Sequence, residues 1–471
     1  MNGRFFLLIG LCCCGVFTAV GHCGAVFAAQ TFNVTEPAKG KPDNTWLSRA
    51  TVTFDTMPVK MHFRPPGQVW LESEDGFQAA NGFAETKDPN ICPSSEQKCD
   101  VEATMGGLLL NAKWWIARKS PARIVVRYRD ALTDAEGNIG HTDIPSGSPY
   151  GRGDWVDEWH YIYPDTTHTR VVKIYTGKAP IAINGWSHDG CWFSWDNPDN
   201  TECWPFETQE TFFAGPAGTM PIDYINVRAV TVINMKGQAR RPSWKPYPNN
   251  ASMLSKGNIQ VVNLKARYKP FTIAWSDKDI EIVPYTTSAD RDDLSRLKHT
   301  VFVTWPRQRS FPKTSYVGAL THIYNWKWYR QTKNTVTQLY LSGMTTARNA
   351  PQQAKQLVPV ARSWIHPPVL SCKRGCRSRG FSKIQKAYVV KKTGSSILFK
   401  IAASKSSPLV NPAFVIQGWG KGKARIRLNG KVKIEGKKLR IGYENRGKTT
   451  DLVVWMEQHS TSSVRVALTR R

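Results

Sequence analysis

The sequence predicts an all-β protein, a large antiparallel β-sandwich domain followed by a smaller C-terminal β-sandwich. Short segments alternating polar and apolar residues recur along most of the chain, the pattern of half-buried strands. Long helical periodicity is scarce. The 35 Gly, 29 Pro and 18 Trp among 471 residues favour turns and aromatic strand faces over helices. A single core stops growing near about 250–300 residues, so the chain divides. The expected units are a leader at 1–29, a β-sandwich at 30–349, a proline-bearing linker at 350–384 and a small basic β domain at 385–471.

Met1 to Ala29 pairs a basic Arg4 with an apolar run from Phe5 to Val20 and small residues at Ala25, Ala28 and Ala29. This reads as a secretory signal peptide. No other run approaches the roughly 20 apolar residues of a membrane span. The mature protein is therefore expected in the periplasm or outside the cell, with no integral membrane association.

Four of the ten cysteines lie in the leader, which leaves Cys92, Cys99, Cys191, Cys203, Cys372 and Cys376. In an oxidising compartment three local pairs read as disulfides, Cys92–Cys99, Cys191–Cys203 and Cys372–Cys376. No CxxC spacing points to zinc. There is also no phosphate-binding glycine loop, so neither an organic cofactor nor a metal site is expected. A structural calcium ion is compatible with such a fold, and the sequence gives it no place.

Strand character follows at Thr51 to Phe63, Val69 to Glu72, Leu108 to Ala117 and Ala122 to Ala131. In the last of these Arg123, Val125, Arg127 and Arg129 share one face. A long loop rich in Gly, Ser, Pro and Asp runs from Thr133 to Arg152, and such loops in compact domains are often functional. Next comes DWVDEWHYIYPDTTHTRVVKIY at 154–175, read as a hairpin turning at Pro164 and Asp165. Opposing Tyr163 to His168 sets Tyr161 against Arg170, Trp159 against Val172 and Asp157 against Ile174. One face then gathers Asp157, Trp159, Tyr161, Tyr163, His168 and Arg170, while Glu158 and Lys173 oppose each other on the other. A second aromatic and basic stretch, HIYNWKWYR, puts His322, Tyr324, Trp326, Trp328 and Arg330 on one side. In the C-terminal unit a loop Leu428-Asn429-Gly430 would pair Ile426 with Val432, setting Arg425 beside Lys433 and Arg427 beside Lys431.

The net charge of +28 implies a polyanionic partner or surface. Nucleic acid is disfavoured by the leader and by the absence of any recognisable binding module. The phrases RGDWVDEWHYIYPD, INMKGQ, IQVVNLKARYKPF and NPAFVIQGWG resemble secreted polysaccharide-utilisation proteins of marine bacteria, which include ulvan lyases of polysaccharide lyase family forty. The resemblance spans about Ala122 to Val466. It implies an exported enzyme that meets a uronic-acid-containing, sulfated polysaccharide and cleaves it by β-elimination.

Such a lyase needs a group to neutralise the uronate carboxylate, a base for the C5 proton and an acid for the leaving oxygen. Arg170 or Arg330 fits the first role, His160, His168 or His322 the second, and Tyr161, Tyr163 or Tyr324 the third. Trp155, Trp159, Trp326 and Trp328 would be platforms for sugar rings, with Arg330 also binding substrate. A hydrolase ranks lower, because adjacent Asp157 and Glu158 point to opposite faces of a strand and cannot flank one bond. A protein that binds acidic polysaccharide without cleaving it would use the same tryptophans and cations.

Overall fold

The structure is a computed structural model that describes residues 31–36, 50–64, 68–82, 85–87, 100–102, 111–134, 137–143, 145, 147–176, 210–216, 221–243, 254–284, 317–325 and 327–470. Two large antiparallel sheets stack as the expected sandwich. One runs in the order Asn33–Thr35, Ala50–Thr53, Lys60–Arg64, Gln68–Glu72, Gln78–Gly82, Glu210–Ala214, Val317–Asn325, Ile280–Pro284. The other runs Ala239–Arg240, Ile225–Asn234, Gly257–Leu264, Lys269–Ala274, Thr335–Thr345, His168–Tyr175, Trp155–Ile162, Arg123–Ala131, Lys113–Ser120, with Arg330–Gln331 paired to Thr335–Thr345. Their facing residues make the core. Val156, Val172 and Ile174 meet Phe213, Leu320 and Ile323, and Ile124, Val126 and Ile162 meet Met61, Phe63 and Leu71.

The stretch expected as a linker is structured. Ala350–Ile365 is a helix capped by Asn349, whose side chain accepts from the Gln352 N–H. Pro351 falls in its first turn, where a missing N–H costs nothing, so this proline opens a helix. Pro359 lies inside the helix. Leu357, Val358, Ala361 and Trp364 bury against Ile233, Ile259, Leu339 and Leu341 on the outer face of the larger sheet. Beyond it, Leu370–Arg374 and Cys376–Ser382 already belong to the C-terminal sandwich, and the Cys372–Cys376 disulfide is formed. The leader and Cys92, Cys99, Cys191 and Cys203 lie outside the described residues.

The C-terminal unit stacks two five-stranded sheets. One is ordered Leu370–Arg374, Ser396–Ile401, Val464–Arg470, Ala424–Leu428, Lys431–Lys433, and the other Cys376–Ser382, Ala387–Lys392, Ala413–Gln417, Thr449–Met456, Leu439–Arg446. The second sheet lays Ala387, Ala413, Val415, Val453 and Trp455 against Ala122 and Tyr163 of the large sandwich. The buried Arg123 guanidinium seals this contact, giving Nε to Glu444 Oε1 at 3.0 Å, Nη2 to Oε2 at 2.6 Å and Nη1 to Gln385 at 2.9 Å. No helix among the described residues is long and apolar enough to cross a membrane.

Two registers differ from expectation by one residue. In the central hairpin Tyr163 N–H bonds to Thr167 O, so the loop is Pro164-Asp165-Thr166, and Thr166 has φ 67°. A three-residue hairpin loop places its last residue in the left-handed region, a position at which threonine gives no signal. Ile162 therefore pairs with His168, His160 with Arg170, Glu158 with Val172 and Asp157 with Lys173. In the C-terminal hairpin Asn429 and Gly430 both have positive φ, 49° and 81°, the signature of a two-residue type I′ loop. Leu428 accordingly pairs with Lys431, Arg427 with Val432 and Ile426 with Lys433.

Candidate functional site

Side chains alternate across a strand, so the one-residue shift redistributes the hairpin between two environments. Glu158, His160, His168 and Arg170 point into the sandwich and are each 1% exposed. Asp157, Trp159 and Tyr161 point outward, with Lys173 and Tyr175 on the same outer face.

The inward group is a closed electrostatic cluster. Arg170 donates Nε to Glu158 Oε2 at 2.9 Å and Nη2 to Oε1 at 2.5 Å, and His160 Nε2 lies 3.2 Å from Oε2. Phe63 of the opposite sheet meets the His160 ring edge-on, 5.1 Å between centroids. Burial opposes ionisation of Glu158, but the charge of Arg170 and hydrogen bonds from His160 and Arg170 outweigh it, holding the carboxyl below the usual range. Burial pushes His160 down despite Glu158, and pushes His168 well down with help from His160 and Arg170. Neither His168 ring nitrogen has a hydrogen-bond partner. Arg170 is therefore engaged by an internal carboxylate, and this trio is walled off from a polymer in solvent.

The outward group lies in ordered rows across the sheet. The central row reads Arg330, Thr337, Lys173, Asp157, Arg129, Lys113. Beside it runs Leu339, Val171, Trp159, Arg127, Trp115, and on the other side Thr335, Tyr175, Trp155, Ala131. Five cations thus share a row and its neighbour with a single carboxylate. Asp157 is 1% exposed in its side chain and gathers three donors: Arg129 Nε at 3.0 Å, Arg127 Nη2 at 3.5 Å and the Tyr150 hydroxyl. The Arg127 guanidinium sits between two indoles, 4.7 Å from the ring centroids of both Trp115 and Trp159. Arg129 stacks on Tyr150 at 3.4 Å, and Lys173 Nζ donates to Tyr175 Oη at 3.0 Å. Arg127 and Arg129 keep 25% and 21% of their side chains in solvent, enough to meet a ligand. Tyr150 comes from the loop before the hairpin. Burial, then its bond to Asp157, raises its pKa, so it stays a protonated hydrogen-bond donor.

The remaining expected residues are dispersed. Tyr161 is half-buried at the domain contact beneath Arg123, 5.3 Å from its ring, and burial raises its pKa. Tyr163 is fully buried, donates to Gln385 O and is pushed up to about 12, chiefly by burial. Both tyrosines join domains. Trp155 is 8% exposed and donates Nε1 to Arg152 O, and Trp328 at 4% is core. Trp326 lies outside the described residues. His322 pairs with Glu210 and Val283, and Tyr324 with Glu281, so both belong to the eight-stranded sheet. Of the residues singled out in HIYNWKWYR, only Arg330 is paired into the sheet that carries the hairpin.

Sequence reading did not assemble Trp115, Arg127, Arg129, Tyr150, Lys173 and Tyr175 into a site. The alternation of Arg123, Arg127 and Arg129 marks one face of their strand, but its pairing with Trp155–Ile162 is tertiary information. Among the described residues no group of three His, Cys, Asp or Glu side chains could hold a metal ion.

No protein-family model and no curated protein matches the chain. Among solved structures it is similar to an alpha-N-acetylgalactosaminidase from Bifidobacterium bifidum, with 8% identity and TM-score 0.29 over 63% of this chain and 36% of that one. It is also similar to an alpha-mannosidase from Enterococcus faecalis, with 8% identity and TM-score 0.33 over 87% of this chain and 42% of that one. The chain thus spans less than half the length of either. Likeness at this level bears on neither reaction nor substrate.

Proposed function

We propose that the protein is exported and acts on an acidic polysaccharide of the ulvan type, engaging it on the outer face of the larger sheet and cleaving it by β-elimination. The observation that carries this is the row Lys113, Arg129, Asp157, Lys173, Thr337, Arg330, flanked by the half-buried Trp115, Trp159 and Tyr175. Its surplus of positive charge suits uronate and sulfate groups, and indole faces suit the apolar faces of sugar rings. Arg127 and Arg129, partly exposed and held rigid by Asp157 and the rings, are placed to neutralise a uronate, which makes its C5 proton more acidic. Our candidate base is Tyr175, whose Oη accepts from Lys173 Nζ at 3.0 Å and which would take that proton as the phenolate. Tyr150, kept protonated, would turn the hydroxyl proton it gives Asp157 toward the leaving oxygen.

A second reading, binding without cleavage, is favoured by the burial of His160, His168 and Arg170, which removes imidazole and one arginine from the reaction. One experiment separates the two. Purified protein is incubated with ulvan and other uronic-acid polymers while ultraviolet absorbance of the unsaturated product and retention on immobilised polymer are followed. Rising absorbance that Arg129→Ala abolishes supports the lyase. Salt-sensitive retention without absorbance supports binding alone. Neither signal with any acidic polymer would reject both readings.

A further inference from the structure

The C-terminal sandwich carries a second cationic surface that the site above does not use. Its sheet built on Ser396–Ile401, Val464–Arg470 and Ala424–Leu428 turns Ile397, Phe399, Ile426, Val466 and Leu468 into the core. The partner sheet covers that side and itself packs on the large sandwich. The opposite face of the first sheet is therefore directed away from the other described residues. Arg425, Arg427 and Arg465 are exposed there and Lys400 is half-exposed, with exposed Arg374 on the neighbouring strand. Arg427 pairs with Ala467, which pairs with Leu398 and then Arg374, and Arg465 pairs with Lys400. At about 4.8 Å per strand the row from Arg427 to Arg374 spans roughly 14 Å. Ala467 and Leu398 lie between them, with Thr469 and Ser396 in the adjoining row, so the cations stand over an uncharged floor.

Among the described residues none of these cations makes an ion pair, although exposed Glu435 follows the edge strand Lys431–Lys433 of the same sheet. Between 370 and 470 the acidic residues are Glu435, Glu444, Asp451 and Glu457. Glu444 is spent on Arg123, Asp451 on Arg446, and Glu457 lies 3.7 Å from Lys438. Like charges on adjacent strands repel, and an extended anionic ligand would relieve that repulsion along its length.

We propose that this outward sheet face is a second binding surface for acidic polysaccharide, which holds the polymer while the outer face of the large sheet acts on it. The identity of the ligand rests on the function proposed above. Two sites on one chain raise affinity for a long polymer by about 10²–10⁴ without altering the affinity of either for a short oligosaccharide.

The test uses the full chain, with Arg425→Gln/Arg427→Gln/Arg465→Gln, the corresponding triple lysine variant, and Arg129→Ala. Retention on immobilised ulvan and turnover of a short oligosaccharide are measured, with thermal melts as a folding control. The triple glutamine variant is expected to lose at least about 100-fold in affinity for polymer while keeping oligosaccharide turnover or binding. The lysine variant should retain most polymer affinity. Unchanged retention of the glutamine variant would overturn the proposal, as would tighter binding of the wild type to double-stranded DNA than to any acidic polysaccharide at equal salt. If Arg129→Ala keeps retention and the triple glutamine variant loses it, this surface stands and the outer-face site falls. The reverse pattern rejects this surface and spares the outer-face site.

Discussion

Replacing Arg170 by methionine should cost stability, and any effect on turnover should follow from that. Arg170 makes two hydrogen bonds to Glu158, at 2.9 and 2.5 Å, with both side chains 1% exposed. Methionine keeps much of the volume and removes the charge. Glu158 would then remain buried with no cation beside it, since burial keeps His160 neutral. Breaking a buried pair from one side costs about 3–5 kcal/mol, because the surviving charge is uncompensated. With a urea m-value of about 3 kcal/mol per M, the midpoint of unfolding should fall by about 1–1.7 M. Replacing both partners, Glu158→Leu with Arg170→Met, should recover most of the loss, since apolar replacement of a whole buried pair is often neutral. The assay is urea unfolding followed by tryptophan fluorescence, beside polymer binding at low temperature. An Arg170→Met protein whose midpoint moved by less than about 0.2 M while polymer binding or turnover disappeared would refute this reasoning and return Arg170 to the substrate.

Three further outcomes follow from the same geometry. His160 and His168 are held neutral when folded, so the unfolded chain takes up protons first. Stability should be undiminished above the unfolded histidine pKa of about 6.5 and fall as pH drops below it, with His168→Leu flattening that slope in pH-dependent melts. Asp130 has the opposite sign: burial raises it to about 7 against the bonds from Tyr128 and Ala131 N–H. Its ionisation should therefore destabilise the fold as pH rises from about 4 to 7, and Asp130→Asn should raise the melting temperature at pH 8 but not at pH 4. Glu444→Gln leaves Arg123 buried with weakened partners at the domain contact. It should cost about 3 kcal/mol and split one thermal transition into two by calorimetry, and a single undiminished transition would count against Arg123 as the joint.

The architecture was legible because alternation survives without knowledge of partners. Ile124, Val126 and Tyr128 are apolar at every second position and do face the other sheet. What failed was register, in both hairpins and by one residue each time, and the reason was turn geometry. Asn429-Gly430 takes positive φ twice, which shortens the loop. Thr166 takes positive φ where a β-branched residue rarely does, with its Oγ1 accepting from Met344 N–H at 3.0 Å. That bond comes from a strand 178 residues away and cannot be seen locally. The candidate site was half legible for the same reason. Asp157, Trp155, Trp159 and Arg330 were singled out as binding or facing residues, whereas Arg127, Arg129 and Tyr150 join them only through strand order and a loop.

Asp157 and Glu158 show why the register is so firmly set. They are consecutive carboxylates on one strand and necessarily face opposite sides. Asp157 gathers Arg127, Arg129 and Tyr150 on the outer face, while Glu158 neutralises Arg170 between the sheets. Sliding Arg123–Ala131 by one residue would take Arg127 and Arg129 from Asp157, and sliding His168–Tyr175 would take Arg170 from Glu158. Arg170 would turn outward and leave Glu158 inside without a cation, at a cost of several kcal/mol, besides exposing Val172 and Ile174. The buried cluster thus acts as a register lock for the strand that presents Asp157. Substitutions in the interior should accordingly disturb polymer binding through the position of Arg127 and Arg129, even though no interior side chain reaches the polymer.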